Sequence, residues 1–313
     1  MRSTGLIFCS VLLGILLPLV GRAADQDDLS LWRMYRSTLA VARYVDLTHA
    51  FAPGQPVGVG FGQMEVGPAR ASVTIPGVID AGDPFTYETL GAGITSYRFP
   101  TDQVATQLDP PAHMNSHGAT ISDLPPTFAV RPLVVVNLAQ KVIRDPGYVA
   151  TVQDVIDWER KHGRIPKGSV VMFRTDWSRR WSDPKRFTAR PFPGVSVEAL
   201  KFLHLQRKIL FHGHEPLDTD MTSDFVAETW LLKHNYTQAE GVANLDLVPE
   251  AGALVSIGFA KPEGGTGGFA RFIAIVPKNW PNGVTIDESP GAPLPEYEEA
   301  LKRADDGVLR RPR

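Results

Sequence analysis

Residues that could bind a metal ion or a polar substrate are concentrated in one short stretch, Phe99–His113. Its polar side chains are Asp102, Gln103, Gln107, Asp109 and His113. If residues 103–109 run as a strand, positions 103, 107 and 109 point to the same side, because side chains alternate between the two faces. Pro110 and Pro111 then fix a turn that brings His113 back toward them. The stretch predicts a cradle for a metal ion or a polar substrate. The alternative is a polar strand end followed by a proline loop.

A second polar cluster follows a predicted strand over residues 208–211. Its members are His212, His214, Glu215, Asp218 and Asp220. In open α/β sheets, ligands bind at the carboxyl ends of strands, which is where this cluster is expected. His212 and His214 share one face and could ligate a metal ion together. Alternatively, they are an ordinary histidine pair on a strand, followed by a turn that caps a helix.

The elements that must position these residues alternate between strand and helix. Continuous apolar runs predict buried strands at residues 133–138, 170–173, 254–259 and 272–276, and a further strand begins at Val45. Helices are predicted at 151–162, from Ser196 to about 207, and from Thr222 or Ser223 to about 233. Segment 25–43 has helical spacing, whereas residues 52–93 are rich in glycine and proline and predict loops that shape a pocket. Together these elements predict a single domain of the α/β class.

Composition and charge restrict the possible partners. The chain has 313 residues, of which 43% are hydrophobic and 21% charged, with a net charge of −2. There is no basic cluster, so we expect no nucleic-acid partner. The only cysteine, Cys9, lies in the N-terminal apolar segment, so a disulfide or cysteine metal ligand is not expected in the remainder.

The N-terminus has the features of a secretory signal. Arg2 precedes the apolar run 6–20, and Gly21-Arg22-Ala23 forms a small-x-small cleavage site. A membrane anchor is the alternative, but the run is short and is interrupted by Gly14 and Pro18. Cleavage after residue 23 predicts a secreted or periplasmic protein without a membrane partner. Loss of Arg2 and Arg22 would lower its charge by two, to −4.

Five sequence stretches resemble, in order, the metal-dependent cyclase/hydrolase family, which includes bacterial kynurenine formamidase and isatin hydrolase. The family signature reads His-x-Gly-Thr-His-x-Asp-x-Pro-x-His. Thr106, Asp109, Pro111 and His113 match it, whereas Gln103 and Gln107 replace histidines and Ala105 replaces the glycine. The other four stretches are Asp46-Leu-Thr-His, Arg174-Thr-Asp-Trp, Pro193-Gly-Val-Ser and Glu240-Gly-Val-Ala-Asn-Leu. The resemblance covers about residues 44–277.

The resemblance implies a mixed β/β/α fold of the swivelling type in a single domain. With the N-terminal signal, the helical spacing after it and the Pro-rich, charged C-terminal segment, this predicts a signal peptide (1–23), an N-terminal helical segment (24–43), the hydrolase domain (44–277) and a C-terminal tail (278–313). The tail is expected to be disordered toward its end or to clasp another subunit. The family also implies a homo-oligomer.

The resemblance also implies roles for individual residues. The metal site would be formed by Gln103, Gln107, Asp109, His113 and Glu240. The catalytic acid/base would be His113 or Glu240. Glu228 occupies the place of a family histidine on a helix, although an exposed helix glutamate is the alternative. A further group of side chains would contact the substrate or support the metal ligands; it consists of Glu228, His212, His214 and Glu215.

Replacing two histidines by glutamines shifts the ligand set toward oxygen. The family implies manganese or zinc, but amide oxygens suit a harder ion, manganese, magnesium or calcium, better than zinc. Alternatively no metal binds, and the glutamines, Asp109 and His113 hydrogen-bond one another or a ligand.

The activity implied is metal-dependent hydrolysis of a C–N bond in an aryl formamide, cyclic amide or lactam. This would be an arylformamidase-like reaction of the kind used in tryptophan catabolism. The rival expectation is a small-molecule binding protein that keeps the fold without the metal.

Overall fold

The computed structural model describes residues 30–58, 60–287, 294 and 296–312. The expected signal segment, residues 1–23, lies outside this part of the chain. Residues 41–313 form one compact unit, and residues 1–40 are a separate unit. In the described part of the N-terminal unit, helix α1 (Ser30–Met34) continues directly into a π-helical stretch (Tyr35–Leu39). Of the segment 25–43 with helical spacing, residues 30–39 are therefore helical. Within the described residues, no helix is both long and apolar enough to cross a membrane.

Fifteen strands are found in the described residues. They are β1 (Arg43–Asp46), β2 (Glu65–Pro68), β3 (Thr95–Arg98), β4 (Gln107–Asp109), β5 (Val130–Asn137), β6 (Val149–Ala150), β7 (Val170–Arg174), β8 (Gly194–Val195), β9 (Phe211–His214), β10 (Thr237–Glu240), β11 (Ala253–Phe259), β12 (Gly268–Val276), β13 (Val284–Thr285), β14 (Lys302–Arg303) and β15 (Leu309–Arg310).

The α-helices after α1 vary in length. They are α2 (Tyr87–Leu90), α3 (Ala139–Arg144), α4 (Val152–His162), α5 (Pro184–Phe187), α6 (Val197–Lys201) and α7 (Val226–Lys233). A π-helical stretch (Phe202–Arg207) extends α6, so the helix predicted from Ser196 to about 207 is present. The α4 start also agrees with the sequence, because Thr151 and Asp154 form a reciprocal capping box there.

Nine strands form the main sheet, in the order β11-β5-β7-β9-β10-β4-β12-β1-β13. Strands β5, β7, β9 and β10 are parallel, and the remaining pairings are antiparallel. Because β11 also pairs with β12, the sheet closes on itself and resembles a barrel. This confirms the predicted mixed α/β fold.

Apolar side chains of the parallel strands alternate between two cores. Leu133 and Val135 on β5 face the interior of the closed sheet, whereas Val134 and Val136 face the layer that contains α4, α6 and α7. Strand β7 alternates in the same way. Burial on both faces explains why these strands read as continuous apolar runs.

Three element boundaries differ from the sequence predictions. Strand β4 covers only 107–109, because Ala105 adopts a left-handed conformation with φ of 61° and breaks the strand before it. Strand β9 begins at Phe211 because Lys208, with φ of 56°, ends the preceding helix in the left-handed region. His212 and His214 therefore lie within the strand, not after it. Helix α7 begins later than predicted, at Val226, and Thr222 Oγ1 accepts a hydrogen bond from its first amide.

The C-terminal region is more ordered than its composition predicted. Strand β13 pairs with β1 and thereby extends the main sheet beyond residue 277. Strands β14 and β15 form a hairpin in which Arg303 and Arg310 bond to Gly307 and Asp306. A side chain at Gly307 would lie 1.7 Å from the Val66 carbonyl oxygen, so this hairpin packs closely on β2. The disorder expected for the last residues does not apply to this hairpin, because these contacts hold it in place.

Candidate functional site

The candidate site is a group of polar side chains on the helix-covered face of the sheet. In the pairing of β4 with β10, Gln107 lies opposite Glu240, and Asp109 lies opposite Gln238. Leu108 and Ala239, between these residues, point into the interior of the closed sheet. The alternation of side chains thus places two amides and two carboxylates together on the other face.

Hydrogen bonds join the two amides to both carboxylates. Gln107 Nε2 donates to Glu240 Oε2 over 2.9 Å and to Asp109 Oδ1 over 3.4 Å. Gln238 Nε2 donates to Glu240 Oε1 over 2.9 Å and to Asp109 Oδ2 over 3.1 Å. Each amide group therefore bridges the same pair of carboxylates. Strand pairing determines this arrangement, since all four residues face the same way on adjacent strands.

Helix α7 adds a third carboxylate, Glu228. Oxygens of Asp109, Glu228 and Glu240 all lie within 4.8 Å of one another, and none of the three residues is more than 4% exposed. Asp220 fixes the start of the helix, because its Oδ2 accepts hydrogen bonds from the amides of Ala227 and Glu228. This cap aligns the first helical turn so that Glu228 reaches the carboxylates of the sheet.

The electrostatics of the three carboxylates are unfavourable for full ionisation. Burial raises the pKa of Asp109, Glu228 and Glu240 above the usual carboxyl range. The charge of Asp109 raises the pKa of both glutamates further. Such a group must hold protons or a cation, because unpaired buried charges are expensive.

His113 lies at the open side of this group. It ends the 3₁₀ turn Pro111–His113, and its Nδ1 lies 2.6 Å from Gln103 Nε2. Its Nε2 lies 3.6 Å from Glu228 Oε1, and its side chain is 27% exposed. With Gln103 donating to Nδ1, the ring proton is on Nε2 and faces Glu228.

A cavity of about 200 Å³ opens onto the group. The polar residues of its lining are Gln103, Gln107, His113, Arg190, Asp218, Glu228 and Glu240. The apolar part of the wall consists of Phe61, Met114, Leu217 and Phe225. Two lining residues, Gly58 and Phe61, belong to the segment 52–93 that was expected to shape a pocket. A cavity of this size and lining accommodates a small, largely apolar molecule with a few polar atoms.

Most residues predicted for the metal site come together, but in different roles. Gln107, Asp109 and Glu240 are in direct contact. Gln103 lies before the strand break and contacts His113 through its amide. Glu228, for which an exposed helix position was the alternative, is buried beside Asp109 and Glu240. Sequence reasoning missed Gln238, although its spacing of two residues from Glu240 on a strand places it on the same face.

The second polar cluster divides into two parts. His214 Nε2 lies 3.4 Å from Glu240 Oε1, and Thr219 links His212 to Gln238. His214 therefore lies beside Glu240, whereas His212 is connected to the site through Thr219 and Gln238. Glu215 points elsewhere: its Oε2 accepts hydrogen bonds from the Thr175 hydroxyl and from the backbone amides of Thr175, Trp177 and Ser178. Its contacts tie the end of β9 to the end of β7.

The protein belongs to the α/β class, with a closed mixed sheet and helices on its outer face. Its candidate site is a buried carboxylate group beneath a small cavity. A family model described as "Putative cyclase" matches residues 45–221, more than half of the chain. The chain belongs to this cyclase family, and the resemblance inferred from its motifs is confirmed.

Individual relatives agree with this assignment. Isatin hydrolase from Roseibium aggregatum is 32% identical over 160 residues, which cover 48% of this chain and 60% of the relative. Isatin hydrolase A from Ralstonia solanacearum superposes with a TM-score of 0.67 at 26% identity, covering 81% of this chain and 99% of the other. Isatin hydrolase A from Labrenzia aggregata, bound to benzyl benzoate, has a TM-score of 0.66 at 25% identity, with 79% and 98% covered.

Proposed function

We propose that this protein hydrolyses the C–N bond of a small cyclic amide or lactam, or of an aryl formamide, with the help of a divalent metal ion. The observation that carries the proposal is the buried group of Asp109, Glu228 and Glu240 beneath a cavity of about 200 Å³. Similarity to isatin hydrolases supports the reaction class.

The residues present fit a metal ion. Three carboxylates converge without a lysine or arginine among their hydrogen-bond partners in the described chain, and the Gln107 Oε1 atom beside them is buried and unpartnered there. Asp109, Glu228 and Glu240 would hold the ion. When bound, it would supply charge stabilisation for the developing oxyanion and lower the pKa of water.

His113 is the residue best placed to move a proton. It lines the cavity, its side chain is partly exposed, and Nε2 faces Glu228. Glu240 is less suited, because both of its carboxylate oxygens already accept hydrogen bonds from Gln107 and Gln238. His113 would accept a proton from the attacking water at Nδ1, in place of the hydrogen bond from Gln103, and donate it to the leaving nitrogen, with Glu228 orienting the imidazole through its Nε2–H.

Two further residues would orient the substrate. Arg190 lines the cavity, and its guanidinium would bind the carbonyl oxygen or the product carboxylate. Phe61 and Phe225 would contact the apolar ring. The apolar wall also excludes water, which strengthens every polar interaction inside the cavity.

The test is a hydrolysis assay on isatin, N-formyl arylamines and lactams, with manganese, magnesium or zinc supplied. Wild type is expected to turn over at least one of these compounds, and activity should vanish after chelation and return with metal. Asp109→Asn should abolish it, and His113→Ala should lower turnover by about 10²–10⁴-fold. An exposed carboxylate substitution, Glu88→Gln, serves as the control.

A metal-free binding protein is the second candidate, because the glutamine amides already occupy both carboxylates of the sheet. Binding of these compounds without turnover, with or without added metal, would establish this candidate instead.

We also propose export and self-association. The apolar run 6–20 and the site at 21–23 support cleavage of a signal peptide. N-terminal sequencing of protein from its native host should begin near Ala24, and an intact Met1 on membrane-bound protein would contradict this. Light scattering of the purified protein should give the mass of a homo-oligomer, and the mass of a single chain would contradict it.

A further inference from the structure

A small recess adjoins the cavity above the carboxylates. Its volume is about 20 Å³, and the residues that line both spaces are Gly58, Arg190, Leu217 and Asp218. The residues that line the recess and not the cavity are Val57, Phe187, Thr188, Phe192 and Pro216. None of the three carboxylates is among these lining residues. The recess is therefore a side space of the cavity, separate from the group proposed to hold the metal ion.

Gly58 lies at the junction of the two spaces. It lines both, and a Cβ at this position would lie 3.1 Å from the ring of Phe61, which lines the cavity. Because glycine has no side chain, the junction is not narrowed here. A substituent on a molecule in the cavity can therefore extend into the recess.

The walls of the recess favour an apolar group. Most of its lining side chains are apolar, and two nearby polar groups are already hydrogen-bonded. Thr188 Oγ1 donates to the Pro184 carbonyl oxygen over 2.8 Å, and the Phe187 carbonyl oxygen accepts from Trp177 Nε1 over 2.8 Å. An apolar space offers water too few hydrogen-bond partners. A methyl group therefore fits the recess better than water, a hydroxyl or an amine.

The two charged residues at the junction act on each other. Burial raises the pKa of Asp218, and the positive charge of Arg190 opposes this rise. Arg190 also donates from Nη1 to the Met221 carbonyl oxygen over 3.5 Å. Neither side chain requires a charged substituent in the recess.

Size and rigidity limit the group that the recess accepts. A space of about 10–15 Å³ holds one water-sized group, so the recess takes one such group and not a second ring. Phe187 and Phe192 are only 2% and 5% exposed. Phe187 also packs edge-on against Trp181, with ring centroids 5.1 Å apart. These walls are therefore fixed before a ligand binds.

We propose that the recess receives one methyl or halogen substituent on the aryl ring of the substrate, so that this chain prefers monosubstituted aryl amides and lactams to the unsubstituted compounds. One additional methylene group in a fitting apolar pocket improves recognition by about 10–200-fold. The inference rests on the function proposed above, but a binding measurement tests it without turnover.

The experiment compares isatin and formanilide with their monomethyl and monochloro ring isomers. Calorimetric titration of the full-length chain gives the dissociation constant, and an absorbance assay gives kcat/KM wherever a compound is hydrolysed. At one ring position, the methyl and chloro compounds should bind about tenfold more tightly than the parent, or better. A hydroxyl group at that position should not bring this gain, because it is similar in size but polar.

Variants of Val57 assign the gain to the recess. Val57→Phe fills the recess and should remove the gain while leaving the dissociation constant of the parent compound unchanged. Val57→Ala enlarges the recess and should shift the preference from methyl to ethyl. Val73→Phe is the matched control, since it makes the same replacement at a residue that is 62% exposed and should change neither constant. Circular dichroism establishes that each variant is folded.

Three results would overturn the proposal. They are no binding of any of these compounds to wild type, no ring position at which a substituent tightens binding, and a gain that persists in Val57→Phe. If a substituted compound binds more tightly through Val57 but none is hydrolysed, the proposed function fails while the recess assignment stands. If the parent compounds are hydrolysed and no substituent brings a gain, the function stands and the recess assignment fails.

Discussion

Gly241 closely approaches the backbone of Ala105, next to the two strands that carry the site. It directly follows Glu240, is buried, and has φ of 60°. A Cβ at this position would lie 2.5 Å from the Ala105 carbonyl oxygen, which is backbone and cannot rotate away. The left-handed conformation costs a residue with a side chain about 1–2 kcal/mol, and overpacking adds about 1–3 kcal/mol. Gly241→Ala should therefore lower the free energy of unfolding by roughly 2–5 kcal/mol.

Two glycine variants separate these contributions in urea denaturation followed by circular dichroism. Gly54→Ala has φ of 84° but nothing within 4 Å of its Cβ, so it should show the conformational cost alone. Gly62→Ala has neither feature and should be nearly neutral. The reasoning is refuted if Gly241→Ala is no more destabilised than Gly54→Ala.

Three further predictions concern the pH dependence of stability, each measured by urea denaturation across pH. Burial raises the pKa of Asp154, but hydrogen bonds from Lys141 and Thr151 outweigh it and lower the pKa overall. Its stabilisation is therefore present above pH 3.8 and lost as pH falls through the lower folded value, and Asp154→Asn should abolish that loss. Burial lowers the pKa of His204 to about 3. The free energy of unfolding should therefore fall as pH drops below 6.5, by roughly 1.4 kcal/mol per pH unit. The His204→Leu variant should show a smaller slope. Burial raises the pKa of Glu215 to about 7, so its contribution is complete below pH 4.5 and is lost as pH rises to about 7. Glu215→Gln should remove this loss, which amounts to roughly 3 kcal/mol. For each variant, a pH profile of stability identical to that of wild type would contradict the role given to the replaced residue.

The sequence determined the features that depend on local pattern. Thr151 and Asp154 predicted the α4 start because a capping box involves residues only three positions apart. Runs such as 133–136 predicted buried strands because both faces of the closed sheet are covered by apolar layers. Asp109 and His113 were found because their spacing follows a family signature.

The sequence was less informative where a residue departs from its usual conformation. The left-handed backbone at Ala105 and Lys208 is uncommon for these residue types, so the strand limits near Gln103 and His212 were misplaced. No local pattern marks such positions, because contacts distant in sequence impose them. The close approach of Gly241 to Ala105 is one of these contacts.

Only the tertiary structure determined which polar residues act together. Glu228 and Gln238 are each more than 100 residues from Asp109. In the sequence, only the place of a family histidine points to Glu228, and only a spacing of two residues from Glu240 points to Gln238. The pairing of β4 with β10 and the capping of α7 by Asp220 bring them to the carboxylates. Residue types and spacing within one segment could therefore be read from the chain alone. The grouping of three carboxylates could not, because it depends on the register of two distant strands and on the position of a helix above them.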